Sequence, residues 1–155
     1  MLIALEGCDG SGKSTLATFL SKLFDAEIIH CSTYTPNDFE FFSRILDTAK
    51  YKNIIADRWC YGQFVYQKET ERPLEDKDHY ADENLNRLEL RMLNENAQVI
   101  LVTAPNEVIE KRLSKRGEVL INELTVKEIQ DRFDWLRRHS LLTWSVYNTG
   151  GEQNV

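Results

Sequence analysis

Gly7-Cys8-Asp9-Gly10-Ser11-Gly12-Lys13-Ser14, near the start of a 155-residue chain, fits the pattern G-x-x-x-x-G-K-[ST] in full. Its setting gives the pattern weight. Before it, Met1-Leu2-Ile3-Ala4-Leu5 is an unbroken apolar run, as in a strand covered on both faces. Behind it, Leu16, Phe19, Leu20 and Leu23 fall at helical spacing and predict one inward face of a helix. A strand, a glycine-rich turn and a helix in that order build a concave nest of backbone N–H groups converging on phosphate oxygens. The helix N-terminus adds partial positive charge. The expected nest runs through Gly7, Cys8, Asp9, Gly10, Ser11, Gly12, Lys13, Ser14 and Thr15. Lys13 is placed to bridge β- and γ-phosphates, and Ser14 to set its hydroxyl on Mg²⁺. The loop by itself implies a nucleoside triphosphate and no particular reaction.

Outward from the loop, apolar runs and helical patterns alternate. Lys52-Asn53-Ile54-Ile55-Ala56-Asp57 and Gln98-Val99-Ile100-Leu101-Val102-Thr103 read as buried strands. Weaker strands are expected at Glu27-Ile28-Ile29-His30-Cys31 and Trp144-Ser145-Val146-Tyr147-Asn148. Thr35-Pro36-Asn37-Asp38 reads as a helix start, continued by Phe42, Ile45, Leu46 and Ala49. Leu85, Leu88, Met92 and Leu93 mark a third helix, and Val108, Ile109, Arg112 and Leu113 a fourth. Thr125-Val126-Lys127-Glu128 opens a fifth as a capping box. Strands alternating with helices predict an α/β domain over residues 1–155, a doubly wound parallel sheet with helices on both faces. Lys68 to Tyr80 holds eight charged residues in thirteen plus Pro73, and reads as a solvated loop or a flap beside the site.

Composition narrows the class further. Hydrophobic residues at 42% and charged residues at 28% exclude a disordered or fibrous chain. A net charge of −6 argues against non-specific capture of DNA or acidic membranes. No apolar run approaches the about 18 residues of a membrane span, and no secretory leader precedes the first strand. Cys8, Cys31 and Cys60 form no CxxC pair, which fits reduced thiols in the cytoplasm better than a disulfide framework or a zinc site.

Asp57-Arg58-Trp59 stands at the exit of a strand, on the edge that carries the phosphate loop. An acid there holds magnesium through its water shell, and an adjacent arginine clamps a phosphate at two points; the plainer alternative is a surface ion pair. The longer stretch Asp57-Arg58-Trp59-Cys60-Tyr61-Gly62-Gln63-Phe64-Val65-Tyr66-Gln67, with Glu6-Gly7-Cys8-Asp9-Gly10-Ser11-Gly12-Lys13-Ser14-Thr15, resembles the thymidylate kinase family. Ala104-Pro105-Asn106-Glu107-Val108-Ile109-Glu110-Lys111-Arg112-Leu113-Ser114-Lys115-Arg116-Gly117-Glu118 is similar to that family's strand exit, helix and lid start.

The resemblance implies the P-loop NTPase fold with strand order 2-3-1-4-5 and a short lid over residues 112–124. It also implies transfer of the ATP γ-phosphoryl, with Mg²⁺, to a small-molecule deoxynucleoside monophosphate such as dTMP, and a homodimer as the family's habit. By the same resemblance Asp9 meets the sugar 3′-hydroxyl, Arg58 grips the acceptor phosphate, and Tyr66 and Gln67 pack near sugar and base. On their own physics, Lys111, Arg112, Lys115 and Arg116 share one helix face and suit triphosphate oxygens. Arg112 and Arg116 are the expected inward pair, with Lys111 and Lys115 outward; the plainer alternative is a solvated face paired with Glu107 and Glu110. Phe39 and Arg44 lie on the helix expected to face the acceptor base, unless Phe39 simply packs in the core.

The departures from the family gather on the acceptor side. His30-Cys31-Ser32-Thr33-Tyr34-Thr35-Pro36 lacks the expected arginine, leaving His30 or the Thr35 hydroxyl as substitutes, with a packed His30 the plainer alternative. Asp57 follows Lys13 by only 44 positions, Gly62 replaces a serine, and Val119-Leu120-Ile121 replaces lid polarity. Two other functions therefore stand beside the first. One is a kinase of a hydroxyl group, on a deoxynucleoside or a modified pyrimidine in DNA, with Asp57 as base. The other is a nucleotide-binding regulatory module without turnover.

Overall fold

The computed structural model describes residues 1–31, 39–66, 83–118 and 124–150. Its centre is β1 (Leu2–Glu6), every residue of which is buried. Alternate side chains leave this strand in opposite directions, as the period of two requires. Leu2 and Ala4 enter the larger apolar cluster, Ile3 and Leu5 the smaller. An unbroken apolar run is what a parallel strand covered on both faces needs.

β3 (Ile54–Asp57) pairs parallel to β1 on one side, from Leu2 opposite Ile54 to Leu5 opposite Asp57. β4 (Gln98–Thr103) pairs parallel on the other, from Ile3 opposite Gln98 to Glu6 opposite Leu101. β2 (Glu27–His30) and β5 (Ser145–Asn148) complete the sheet in the order 2-3-1-4-5. All five expected strands are present. Burial of Ile54 and Ile55, both fully enclosed, contributes about 1.5–3 kcal/mol each.

α1 (Lys13–Phe24) covers the smaller cluster with Leu16, Ala17 and Leu20. Here the sequence expectation needs correcting, since Phe19 and Leu23 are 61% and 62% exposed. The cause is the loop. Lys13 must turn inward to the site, and the face in line with it at helical spacing is Leu16, Ala17 and Leu20. The helix is thereby rotated so that Ala17 is buried in place of Phe19.

The other face carries α2 (Phe39–Ala49), α3 (Gly62–Val65), α4 (Glu83–Asn94), α5 (Asn106–Arg116) and α6 (Val126–His139). Phe42, Ile45, Leu46 and Ala49 are buried as their spacing predicts. On α4, Leu85, Leu88 and Met92 enter the core, while Leu93 is half exposed. α5 ends at Gly117, whose φ of +67 lets its N–H reach the Ser114 carbonyl at 3.1 Å. α6 opens with the expected box: the Glu128 N–H donates to Thr125 Oγ1 at 3.1 Å, and the Thr125 N–H to Glu128 Oε2 at 2.8 Å. The four-residue α3 was not expected. The proposed helix start at Thr35, the charged stretch Lys68 to Tyr80 and the apolar Val119-Leu120-Ile121 lie outside the described residues.

All three cysteines are free and buried. Burial pushes the thiols of Cys8 and Cys31 up to about 12, so neither is a nucleophile near neutral pH. Among the described residues no helix is long and apolar enough to cross a membrane.

Candidate active site

Where β1 ends the chain must turn at once, and Gly7 does so at φ +146. A Cβ there would lie 2.2 Å from the Val102 carbonyl oxygen on β4, so only glycine fits. The loop closes on itself through the Ser11 N–H, which donates to the Cys8 carbonyl at 3.0 Å. Gly12, left-handed at φ +104, caps α1. The Lys13 ammonium is buried and donates to the Gly7 and Cys8 carbonyls at 2.6 and 3.0 Å. Burial lowers its pKa first, Arg58 adds to that, and Asp9, Asp57 and Glu6 oppose it.

One turn into the site, Ser14 Oγ donates to Asp57 Oδ2 at 2.9 Å. A hydroxyl and a carboxylate side by side are the oxygen donors that Mg²⁺ accepts when phosphates and water supply the remainder. Among the described residues no group of three His, Cys, Asp or Glu could hold a metal alone, so the phosphates would have to contribute.

Arg58 follows Asp57 at φ +73, a left-handed conformation that is costly for a residue with a side chain, of order 1–3 kcal/mol. The surroundings over-determine it. Its N–H donates to the Leu5 carbonyl at 3.0 Å. Beyond it, the N–H groups of Trp59 and Gly62 donate to the two oxygens of Glu6, at 3.1 and 2.8 Å. The guanidinium is thus delivered to the Asp9 carboxylate, with the Tyr66 ring 5.8 Å away. Burial works against its charge, but Asp9, Tyr66, Glu6 and Asp57 more than restore it, and its pKa lies above the ordinary value.

Glu6 is the hidden support of this turn, and sequence reasoning missed its role; a charged residue ending an apolar strand was the available signal. It is 1% exposed, and burial pushes its carboxyl up to about 7, against the lowering influence of Trp59, Lys13, Arg58 and Gly62. A folded pKa above the unfolded one means that the native state binds more protons between the two values. Stability is therefore fully present below 4.5 and lost as pH rises toward about 7. The expected contribution is on the order of 3 kcal/mol. Thermal unfolding at about pH 5 and about pH 8 should show a fall in midpoint that Glu6→Gln flattens; an unchanged slope in the variant would exclude Glu6 as its source.

Together these groups open onto one crevice of about 1140 Å³, between the N-terminus of α1, the exit of β3, α5 and the exit of β5. Lys13, Arg58, Arg112, Lys115 and Arg116 line it, against Asp9, Asp57 and Glu118. Cations thus prevail there in a chain of net charge −6, as an anionic ligand requires. The structure also brings Gly10, Gly12, Ser14 and Thr15 to this wall. Gly7 and Cys8 contribute through their carbonyls to Lys13, and the Cys8 side chain belongs to the core.

Several expectations change. Lys115, expected outward, lines the crevice beside Arg116, which is half exposed and 3.6 Å from Glu118. Arg112 lines it too, but its donors are already engaged: Nη1 reaches the Gly10 carbonyl at 3.1 Å and Thr149 Oγ1 at 3.0 Å, and Nη2 the Thr149 carbonyl at 2.9 Å. His30 is not packed; its side chain is 72% exposed at the rim, with Nδ1 3.3 Å from Asp57 Oδ2. Phe39 and Arg44 do not line the crevice. Phe39 packs on the core, with the Arg87 guanidinium 4.6 Å from its ring, and Arg44 is exposed and paired with Glu40 at 3.4 Å. Tyr66 is buried under Arg58. Gln67 and Thr35 lie outside the described residues.

No family model matches the chain, and no curated protein matches it. Solved structures do. The YorR protein of Bacillus subtilis, in complex with phosphorylated GDP, aligns at a TM-score of 0.73 and 28% identity over 99% of this chain and 87% of its own. Deoxyadenosine kinase from M. mycoides with bound dATP aligns at 0.59 and 21% identity, over 98% and 92% of the two chains. The chain has the P-loop kinase fold. Thymidylate kinase from Candida albicans, at 0.55 and 20% identity over 97% and 84%, is one of several such neighbours. The likeness thus shows the fold and does not single out the thymidylate branch.

Proposed function

We propose that the chain transfers the γ-phosphoryl of ATP to a deoxynucleoside monophosphate, with dTMP or a related deoxypyrimidine monophosphate as the favoured acceptor. The observation that carries this reading is the placement of Ser14 with Asp57, 2.9 Å apart, and of Arg58 on one crevice floored by the phosphate loop. Ser14 and Asp57 would hold Mg²⁺, which neutralises charge on the β- and γ-phosphates when bound. The loop amides and Lys13 hold the triphosphate and fix its end. Arg58, braced by Glu6 and oriented by Asp9, receives the acceptor phosphate through its fork of donors. Arg116 and Lys115 supply further positive charge from α5. A monophosphate acceptor is already an anion, so positioning and charge neutralisation suffice without a general base. The net charge of −6 weighs against a DNA strand as carrier of the acceptor. A homodimer belongs to the same reading, carried over from the resemblance to the thymidylate kinase family.

One observation favours a second reading, a hydroxyl acceptor. Among the described residues of the crevice wall near β3, Arg58 already has Asp9 as its partner, while Asp57 faces an exposed His30. A carboxylate so placed suits taking a proton from a hydroxyl. A panel of acceptors with γ-labelled ATP separates the two. We expect the strongest labelling on a deoxypyrimidine monophosphate; label appearing only on thymidine or on hydroxymethylated oligonucleotides would overturn the first reading and support the second.

A further inference from the structure

We infer that Thr149, just after β5, and Arg112 of α5, both on the crevice wall, form a clamp that sets the phosphate loop in its binding shape by holding its carbonyls. Thr149 is then a positioning residue for the triphosphate. The inference rests on reading residues 7–15 as a triphosphate site, and goes beyond it by assigning a role to a residue outside the loop.

The geometry begins with two carbonyls. The Ser11 carbonyl accepts from Thr149 Oγ1 and, at 3.4 Å, from Arg112 Nη1; the Gly10 carbonyl accepts from the same Nη1 at 3.1 Å. A trans peptide points its C=O and its N–H in opposite directions. Drawing the Ser11 carbonyl toward Thr149 therefore turns the Gly12 N–H the other way. The same plane released could rotate and present a carbonyl to the phosphates, where it would repel them.

Thr149 can do this because it is fixed itself. Its N–H donates to the Thr103 carbonyl at 2.8 Å, its own carbonyl accepts from Arg112 Nη2 at 2.9 Å, and its Oγ1 accepts from Nη1 at 3.0 Å. Its methyl fills the space where Gly12 has no side chain: a Cβ on Gly12 would sit 3.2 Å from Thr149 Cγ2. The residue thus uses a hydroxyl and a methyl for separate tasks, which substitutions can separate. Arg112 contributes geometry as well as charge, because its two Nη atoms hold carbonyls of both the loop and the β5 exit. A lysine would keep the charge and lose that fork.

Calorimetric binding of ATP, ADP, AMP and adenosine, each with magnesium, tests the clamp without any transfer reaction. Thr149→Val keeps the shape and removes the hydroxyl, and should weaken ATP and ADP about tenfold while leaving AMP and adenosine within about twofold. Thr149→Ser restores the hydroxyl and should bind ATP within about twofold of the parent. Arg112→Lys should repeat the phosphate-dependent loss, which provides a second route should Thr149→Val fail to fold. A general loss of structure would weaken all four ligands alike, and that result would overturn the clamp. Unchanged ATP binding in Thr149→Val or in Arg112→Lys, or a Thr149→Ser chain as weak as Thr149→Val, would also overturn it, leaving the site reading intact. A parent chain that binds no triphosphate would overturn the site reading and the clamp together.

Discussion

Lys13→Ala abolishes phosphoryl transfer to every acceptor on this account, by about 10³-fold or more in kcat. The side chain combines two properties that no neighbour duplicates. Its ammonium is buried within the loop that would hold the phosphates, donating to the Gly7 and Cys8 carbonyls at 2.6 and 3.0 Å. Its charge also counterbalances Glu6, Asp9 and Asp57, which crowd the same corner. Electrostatic stabilisation in a partly desolvated crevice is worth far more than in water. Alanine removes the cation and leaves two carbonyls without that donor, at a stability cost of about 1–3 kcal/mol. Loss of transfer should therefore accompany a modest fall in unfolding midpoint, measured side by side. A variant that kept more than about one tenth of the parent rate would contradict the role of Lys13.

Arg58→Ala has a selective effect. Transfer to monophosphates should fall about 10²- to 10³-fold, and transfer to nucleosides much less, because only the former present a phosphate to the guanidinium. The left-handed φ of +73 gives a useful control. Arg58→Gly removes the guanidinium and relieves the backbone strain, so it should match Arg58→Ala in activity and exceed it in thermal stability. Steady-state rates with dTMP and thymidine, set beside melting curves, measure both. Equal losses across the two acceptor classes would remove Arg58 from the acceptor phosphate.

How much of this was legible in the chain differs by element, for physical reasons. β1, β3 and β4 showed as unbroken apolar runs because central parallel strands are covered on both faces. The capping box at Thr125 and Glu128 was visible because capping is local, completed within three residues. The loop, Lys13, Ser14, Asp57 and Arg58 were legible because a nest, a strand exit and a helix start impose fixed spacing. What failed was rotation and long-range contact. Phe19 and Leu23 have the right period for the core, but the loop sets the phase of α1 and turns them out. Arg112 lines the crevice as its helix face predicts, but its partner Thr149 lies 37 residues away along the chain, and no periodicity reports such a contact. Glu6 could be seen as an odd charge in a strand, but its two acceptors meet N–H groups more than 50 residues later. Phe39 and Arg44 were placed on the acceptor side by the position of their helix, but Phe39 packs on the core beside Arg87, and Arg44 is exposed and pairs within its own helix with Glu40.

On the proposed function, a donor triphosphate and an acceptor phosphate meet in one crevice at the carboxyl edge of the sheet. A crystal structure with magnesium, a non-hydrolysable ATP analogue and a deoxypyrimidine monophosphate tests it most directly. The triphosphate is expected on the loop amides at the start of α1 with Lys13 on its end, the metal beside Ser14 and Asp57, and the acceptor phosphate on Arg58. A triphosphate bound away from that loop, or an acceptor whose phosphate points away from Arg58, would contradict it.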